Sequence, residues 1–563
     1  MTKKQLFWLV IVFIIAAGLR FYRLGSIPEG FFSDEAAVGY NAYSLLKTGK
    51  DEFGKPWPFF FTSFGEGKLP LYIYQALPAV AIFGLTEFAT RLPGALFGSL
   101  TLLVWFFLLQ EIFKLSLVPQ RQRFILGLFS VLVLALMPWH IHFSRGVFGQ
   151  EAIFWLVFGS WLILRGIRKR QTLTVTLGFL ALAMSLLIYH SAKVILPIWT
   201  PLLFIFSWLK NKTKIIELVK ISLIGLVLLI ASWGIVTFNP IGRTRAESMS
   251  VFSLQSGVWS KLHEAIFEEG QLDRPIWYTR IIHNKVESYG REVIGRYLSH
   301  FNPDFLFVSG DLLRARYRVP GGAEVYLIFL PFLAIGLYQL VKQKVWLVLC
   351  LLLIAPLPAA LTFETPSTVR ALTMTIPLSG IIGCGLVTVY EWIKNLSRFS
   401  RELILLALVS LFTYQFVYYL NSYFFLNQIH QPYEWQYGYK ELVGKINNLK
   451  TDYDQFVITD VRGTPYIFFL FFERYDPLKW QAQANQAIEP AKAFNFIAIR
   501  RLDNLWFVND PCPLNKVFSG KTLYVCSEKK EGSEIKLVDT IYYRDGQPAF
   551  YLLTKNTVEE NVH

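Results

Sequence analysis

Charge is scarce in this sequence. Only 17% of the 563 residues are Asp, Glu, Lys or Arg, against 53% hydrophobic, and mean hydropathy is +0.39. That shortage excludes an ordinary soluble domain, which draws about a quarter of its residues from the charged set. Cysteines number four. With no Cys-x-x-Cys and no Cys/His pair at zinc-finger spacing, nothing suggests a structural zinc module. A glycine fingerprint for a dinucleotide is absent, as are internal repeats, heptad runs and low-complexity segments. No small-residue cleavage site follows the first apolar segment, so that segment is expected to stay as a spanning helix and not to leave as a secretory signal.

What remains is a set of long apolar stretches separated by short basic clusters. Spanning helices are expected near 6–24, 93–113, 124–143, 148–165, 173–190, 193–209, 215–238, 324–341, 345–363, 371–392 and 403–425, about eleven in all. Lys3/Lys4, Lys114/Arg121/Arg123, Arg165/Arg168/Lys169/Arg170, Lys210/Lys212/Lys214, Lys342/Lys344 and Lys394/Arg398/Arg401 then all fall on one side. By the positive-inside bias that side is cytoplasmic. Most of the +15 net charge is thereby explained by topology, leaving little for a nucleic-acid partner. The segment 70–86 is apolar but contains Pro78, and counting it as a crossing would put every later basic cluster outside. It is expected to be a juxtamembrane or partly buried helix.

The expected architecture is thus a polytopic α-helical membrane protein of the cell membrane, multi-pass, with a cytoplasmic N-terminus. Its transmembrane part covers 1–425, with external loops at 25–92 and 239–323. The tail 426–563 changes composition and is expected to form a soluble extracytoplasmic α/β or α+β domain. Its elements are helices at 437–449 and 465–474 and strands at 455–461, 494–499, 521–525, 535–543 and 549–553. Cys350 and Cys384 fall in spanning helices, as small apolar residues. Cys512 and Cys526 fall in the tail, a compartment that permits a disulfide.

Four features converge on the outer face. The first is "GFFSDEAAVGYNAY" (30–43), where Ser33 reads as an N-cap and Asp34 and Glu35 as the acidic first turn of a helix ending at Gly49. Aromatic neighbours suggest that this helix lies at the membrane surface, where a carboxylate facing a cleft is partly desolvated. The second is "GEGKLPLYIY" (65–74), with Lys68, which on composition alone could equally snorkel toward headgroups. The third is "PWHIHFSRGVFGQE" (138–151), carrying His140, His142, Arg145 and Glu151; His-x-His can ligate a metal, although interfacial histidines are usually structural. The fourth is the pair "YHSAK" (189–193) and "FETPSTVRALTMTIP" (363–377), which put Lys193 and Arg370 near the outer ends of helices.

With these residues in order the chain resembles the GT-C class of polyprenyl-phosphate-sugar glycosyltransferases, which includes protein mannosyltransferases and the aminoarabinose transferases of lipid A. The resemblance runs over residues 1 to about 425. It rests on Asp-Glu-Ala (34–36), Lys-x-Pro-Leu-x-x-Tyr (68–74), Phe-Gly (83–84), Arg-Leu-Pro (91–93), the Ser-Arg turn (144–145), Tyr-x-x-x-Lys (189–193) and Arg370. Many relatives carry an acidic residue directly before the loop lysine; here Gly67 stands there and Glu66 lies one further back. The resemblance implies an inverting transferase that moves a sugar from a polyprenyl phosphate to a glycan, lipid or protein acceptor. A phosphate leaves without needing a proton, so such a reaction asks for one base and several cations. Asp34 is expected as the base, Glu35 in positioning, and Lys68, Arg145, Lys193 and Arg370 on the donor phosphate. Glu66, His140, His142, Tyr189 and His190 are further candidates for substrate or metal contact, and a divalent metal stays open. Two other readings are a flippase for lipid-linked sugars and a non-enzymatic envelope scaffold. Few charges fall at mid-depth in the apolar helices, which disfavours the first, and a scaffold leaves the clustered Asp, Lys and Arg unexplained.

Overall fold

Helices occupy each of the eleven apolar segments in the computed structural model, which describes residues 2–211, 214–241, 248–272, 274–490 and 497–555. Seven are long and apolar enough to cross a membrane: Lys3–Phe21, Glu87–Leu115, Gln150–Lys169, Ala192–Asn211, Ile215–Phe238, Leu372–Ile393 and Arg398–Gln428. Shorter apolar helices lie at Thr172–Leu186, Leu327–Lys342 and Trp346–Ala360. The protein is therefore a multi-pass membrane protein. The segment around Pro78 forms helix Leu71–Phe83, 13 residues long. At about 1.5 Å per residue that is short of the ~30 Å hydrocarbon core. Lys212 of the third loop cluster lies outside the described residues.

The chain divides into two units. One comprises Met1–Tyr22 with Gly94–Leu420; the other comprises Arg23–Pro93 with Asn421–His563. In the first, helix pairs meet backbone to backbone. A Cβ on Gly336 would run into the Ile381 carbonyl oxygen, and one on Gly385 into that of Phe332. Small residues at such crossings are how helices associate in lipid, where packing replaces the hydrophobic effect. On helix Ile215–Phe238, exposed Val219, Leu223, Ile224, Val227 and Ile230 form the surface that lipid tails cover.

In the second unit the loop 25–92 folds together with the tail. A six-stranded sheet runs in the order Arg501–Leu502, Leu505–Val508, Gln455–Thr459, Thr522–Cys526, Pro548–Lys555, Ile535–Tyr542. Its central strand pairs in parallel with both neighbours and the outer pairs are antiparallel. Helix Tyr466–Phe472 is apolar on every side and buried from Tyr466 to Phe471, as an all-round hydrophobic helix must be. Helix Ser33–Thr48 packs against it, with Phe31 and Phe471 ring centroids 4.6 Å apart. The expected helices near 437–449 and 465–474 are present, as are strands matching 455–461, 521–525, 535–543 and 549–553. Strand Ile497–Ile499 covers the end of the expected 494–499, whose first three residues lie outside the described set. Helix Pro477–Ala487 and strand Leu505–Val508 were not anticipated. Cys512 and Cys526 are joined as a disulfide.

Candidate active site

The acidic pair sits in the first turn of helix Ser33–Thr48. The helix is capped differently from the sequence expectation: Phe32, in extended conformation, is the N-cap, and Ser33 is already helical. The Ser33 N–H donates instead to Gln436 Oε1 at 2.6 Å. At the other end Gly49, at φ +69°, closes the helix in the left-handed region that glycine enters without cost.

Consecutive residues on a helix diverge by about 100°, and the two carboxylates part accordingly. Asp34 is half exposed and accepts from Lys68 Nζ at 2.5 Å. Lys68 comes from a hairpin of strands Phe61–Ser63 and Glu66–Lys68, turned by Phe64 and Gly65, both at positive φ. That pair of angles gives the turn the twist a two-residue hairpin needs. The Lys68 ammonium also stands 4.7 Å from the Phe64 ring centroid, a cation–π contact. The Lys68 side chain is therefore held by protein groups on two sides and does not simply reach for headgroups. The side chain of Glu66 lies outside the described residues.

Glu35 is fully buried and meets Arg91 through two parallel bonds, Nε to Oε1 at 2.9 Å and Nη2 to Oε2 at 2.8 Å. Arg91 spends its remaining donors on the carbonyls of Leu24, Pro28 and Gly30. A buried pair is tolerable only when its other valences are satisfied in this way. Arg91 belongs to the Arg-Leu-Pro motif, but nothing in its spacing from Glu35 announces the bond.

In the other unit, Arg370 follows a segment pinned by His300. The His300 Nδ1–H donates to the Arg296 carbonyl at 2.8 Å and its Nε2 accepts from the Ser367 N–H at 3.1 Å. Burial pulls this imidazole down to about 4, so it serves as a neutral strut. Arg370 donates to Glu364 Oε2 at 3.0 Å, to the Glu364 carbonyl at 3.1 Å and to Thr362 Oγ1 at 3.1 Å. Arg314 reaches the other oxygen of Glu364 at 3.4 Å. Burial pushes the Glu364 carboxyl upward, but Arg370 and Arg314 outweigh it and hold the group below the usual carboxylate range. Two guanidinium groups thus already share one carboxylate. Glu364 stands in the motif quoted for Arg370, yet its part in holding that arginine could not be read from the sequence.

Arg370 also lines a cleft with Gly149, Tyr189, Ser191 and Thr373. Ser191 Oγ donates to the Arg370 carbonyl at 3.2 Å, which joins the Tyr-x-x-x-Lys turn to the arginine loop. Lys193 is half-buried two residues beyond, and His190 lies in the same turn.

Arg145 is positioned otherwise than expected. Its guanidinium is fully buried and donates to the carbonyls of Leu19, Arg20 and Tyr22 at 2.7–2.9 Å, capping the carboxyl end of helix Lys3–Phe21. A cation there offsets the helix dipole and satisfies orphan carbonyls. The two histidines of His-x-His part company as well. His140 Nδ1 accepts from Arg20 at 2.7 Å, and its Nε2 faces the Gln150 amide at 2.7 Å. His142 Nε2 donates to the Arg316 carbonyl at 2.8 Å, with its ring stacked on Phe148. Both are buried in separate networks and do not form a shared metal site. Among the described residues no group of three or more His, Cys, Asp or Glu is placed to hold a metal ion. Asp452 and Asp454 form an Asp-x-Asp that the sequence reading does not single out; it belongs to a turn, where Asp454 Oδ2 accepts from the Lys521 N–H at 2.7 Å.

No family model and no curated protein matches this chain. Among solved structures it is similar to ArnT from Cupriavidus metallidurans bound to undecaprenyl phosphate, at 12% identity over 98% of each chain with a TM-score of 0.49. It is similar also to the apo form of that protein, at 11% identity over 86% of this chain and 89% of that one, TM-score 0.44. A third is the archaeal oligosaccharyltransferase AglB from Archaeoglobus fulgidus, at 13% identity over 84% of this chain with a TM-score of 0.45; the match spans 64% of AglB's length.

Proposed function

We propose that this protein is an inverting glycosyltransferase that moves a sugar from a polyprenyl phosphate to an acceptor at the outer face of the membrane. The observation that carries the proposal is the Asp34–Lys68 pair: a half-exposed carboxylate on a helix N-terminus, bonded to a lysine that keeps further N–H donors for an anion. The acceptor hydroxyl or amine attacks the anomeric carbon as the bond from that carbon to the phosphate oxygen breaks. The electron pair leaves with the phosphate, and the acceptor proton passes to Asp34. Lys68 stabilises charge gathering on the departing phosphate. The helix N-terminus and Lys68 both lie beside Asp34, the acceptor of that proton. One base and one displacement give inversion.

Lys193 and Arg370 are further candidates for the phosphate, Tyr189 and His190 for substrate contact. Arg145, His140 and His142 are left out, since each is buried in structural bonds. Glu35 holds its place through Arg91 and does not meet substrate. The N-terminus is assigned to the cytoplasm and the tail to the outside, from the distribution of basic loops. The test supplies purified protein in liposomes with an acceptor extract and either a polyprenyl-phosphate sugar or the matching nucleotide sugar. Transfer from the lipid-linked donor alone is expected. Transfer from the nucleotide sugar with no lipid carrier overturns the proposal.

A further inference from the structure

Glu52 lies in the first external loop, in "KDEFGK", where nothing in the sequence sets it apart from an exposed acid. In the folded chain it is completely buried. Its backbone N–H donates to Asn41 Oδ1 and Asn41 Nδ2 donates back to its Oε1, both at 3.0 Å. Ser63 Oγ donates to the same oxygen at 3.0 Å, and the Tyr466 hydroxyl donates to Oε2 at 3.3 Å. These donors come from three elements: helix Ser33–Thr48, strand Phe61–Ser63 and helix Tyr466–Phe472.

The first two elements are those that carry the candidate chemistry. Asn41 follows Asp34 by seven residues, about two helical turns, and so rises from the same side of the helix. Ser63 pairs with Glu66 across the hairpin whose second strand ends at Lys68. One carboxyl therefore fixes the spacing between the helix of Asp34 and the hairpin of Lys68. An acid is a costly choice for a fully buried position if packing were the only requirement. Burial pushes this one up to about 7; the Asn41 and Ser63 bonds pull it down, Asp51 pushes it further up, and the Lys68 charge pulls it down. The other titratable groups facing it are Tyr40 and Tyr466, both of which burial pushes upward.

We propose that Glu52 is a positioning residue of the candidate centre: its carboxyl clamps the Asp34 helix to the Lys68 hairpin and sets the distance at which base and cation meet. The effect on turnover rests on the transferase reading; the clamp itself does not.

The test uses the full chain in lipid nanodiscs. Acylation of Lys68 by an amine-reactive ester is read by mass spectrometry, with exposed Lys530 as the reference, below the onset of thermal unfolding. Glu52→Ala is expected to raise the Lys68-to-Lys530 ratio by about tenfold, as the hairpin lets go of the ion pair. Glu52→Gln keeps it within about twofold, because its amide oxygen still accepts from Asn41 and Ser63 and its N–H donates to the Tyr466 oxygen. In the transfer assay Glu52→Ala should lose about 10- to 100-fold in kcat with the donor KM within about threefold, the pattern of a misplaced catalytic group, and Glu52→Gln should recover most of it.

An unchanged Lys68 ratio in folded Glu52→Ala overturns the clamp. Should that variant fail to fold, Ser63→Ala and Tyr466→Phe each remove one bond and are expected to raise the ratio by about two- to threefold; no rise in either overturns it equally. A Lys68 response as expected in a protein that transfers no sugar would uphold the clamp and refute the transferase reading.

Discussion

Glu35 and Arg91 stand 56 positions apart and share a two-bond ion pair from which water is shut out. Asp34, one residue earlier, is half exposed and turns to the largely buried Lys68. Adjacent acids thus receive opposite environments from one helical step, the first half exposed and the second sealed in a buried ion pair.

Asp34→Asn should insert and fold normally and lose at least about 10²-fold in transfer, the usual cost of a positioned base. Glu35→Gln acts differently: it leaves the buried Arg91 charge without its counter-ion and should cost about 3–5 kcal/mol of stability. Turnover per folded molecule falls less than in Asp34→Asn. Thermal melts alongside kcat check both. A dead Glu35→Gln with an unchanged melting temperature would exchange the two roles.

Arg370 is engaged by Glu364, so an anionic lipid has to compete with that carboxylate. Arg370→Ala should weaken binding of a polyprenyl phosphate by about 10- to 100-fold, and Arg370→Lys should recover part of the loss as a point charge without the planar fork. Glu364→Gln should tighten binding by about threefold to tenfold, because the guanidinium then has no charged partner to give up. Titration of the purified protein with the lipid reads all three. Equal affinity in wild type, Arg370→Ala and Glu364→Gln would remove Arg370 from the donor site.

Much of this was legible where the signal is local. Apolar length found the spanning helices, and the short loop motifs drew attention to Asp34 and Lys68, which the fold brings into contact. What the sequence left unread depends on distant partners. Arg145 is a basic residue in an outer turn by sequence, but its meaning comes from three carbonyls more than 120 positions earlier. His140 and His142 share a motif but point into different networks. Ser33 has the chemistry of an N-cap, yet the helix begins one residue early, with Gln436 taking its N–H. Nothing in either segment foretells that the loop 25–92 folds with the tail, because that depends on which apolar face meets which. Glu52, an ordinary acid until three elements enclose it, is the extreme case.

Topology is checked by single cysteines in sealed, oriented membranes, with Cys350 and Cys384 replaced by serine. Position 400 should react only from the cytoplasmic side and position 530 only from outside. Labelling of both from one side would mean that helix Arg398–Phe424 does not cross, and labelling of each from the opposite side would mean that helix Leu71–Phe83 does.

The Cys512–Cys526 bond closes a loop across a sequence separation of 14 residues. Chain entropy for a loop of about 15 residues makes it worth about 3 kcal/mol. Cys512→Ser with Cys526→Ser should lower stability of the tail by that order. Quantitative alkylation of both thiols in denatured, unreduced wild type would show that no bond forms.

The buried acid also predicts how stability varies with pH. Glu52 ordinarily titrates near 4.5, and in the fold its carboxyl is pushed up to about 7. Between those values the folded chain holds a proton that the unfolded chain releases, so raising pH favours unfolding. The contribution is complete below about 4.5, falls as pH climbs through 7, and is constant above. At about 1.4 kcal/mol for each tenfold difference in proton affinity, the span is on the order of 3 kcal/mol. Asp51, also buried and pushed upward, adds to the slope in the same direction. Glu52→Gln cannot titrate and should flatten most of the fall, leaving the variant more stable than wild type at pH 8 and close to it at pH 5. Melting temperatures of both proteins across pH 4.5–8 decide the matter: a difference between them that does not change with pH would mean that Glu52 stays ionised throughout.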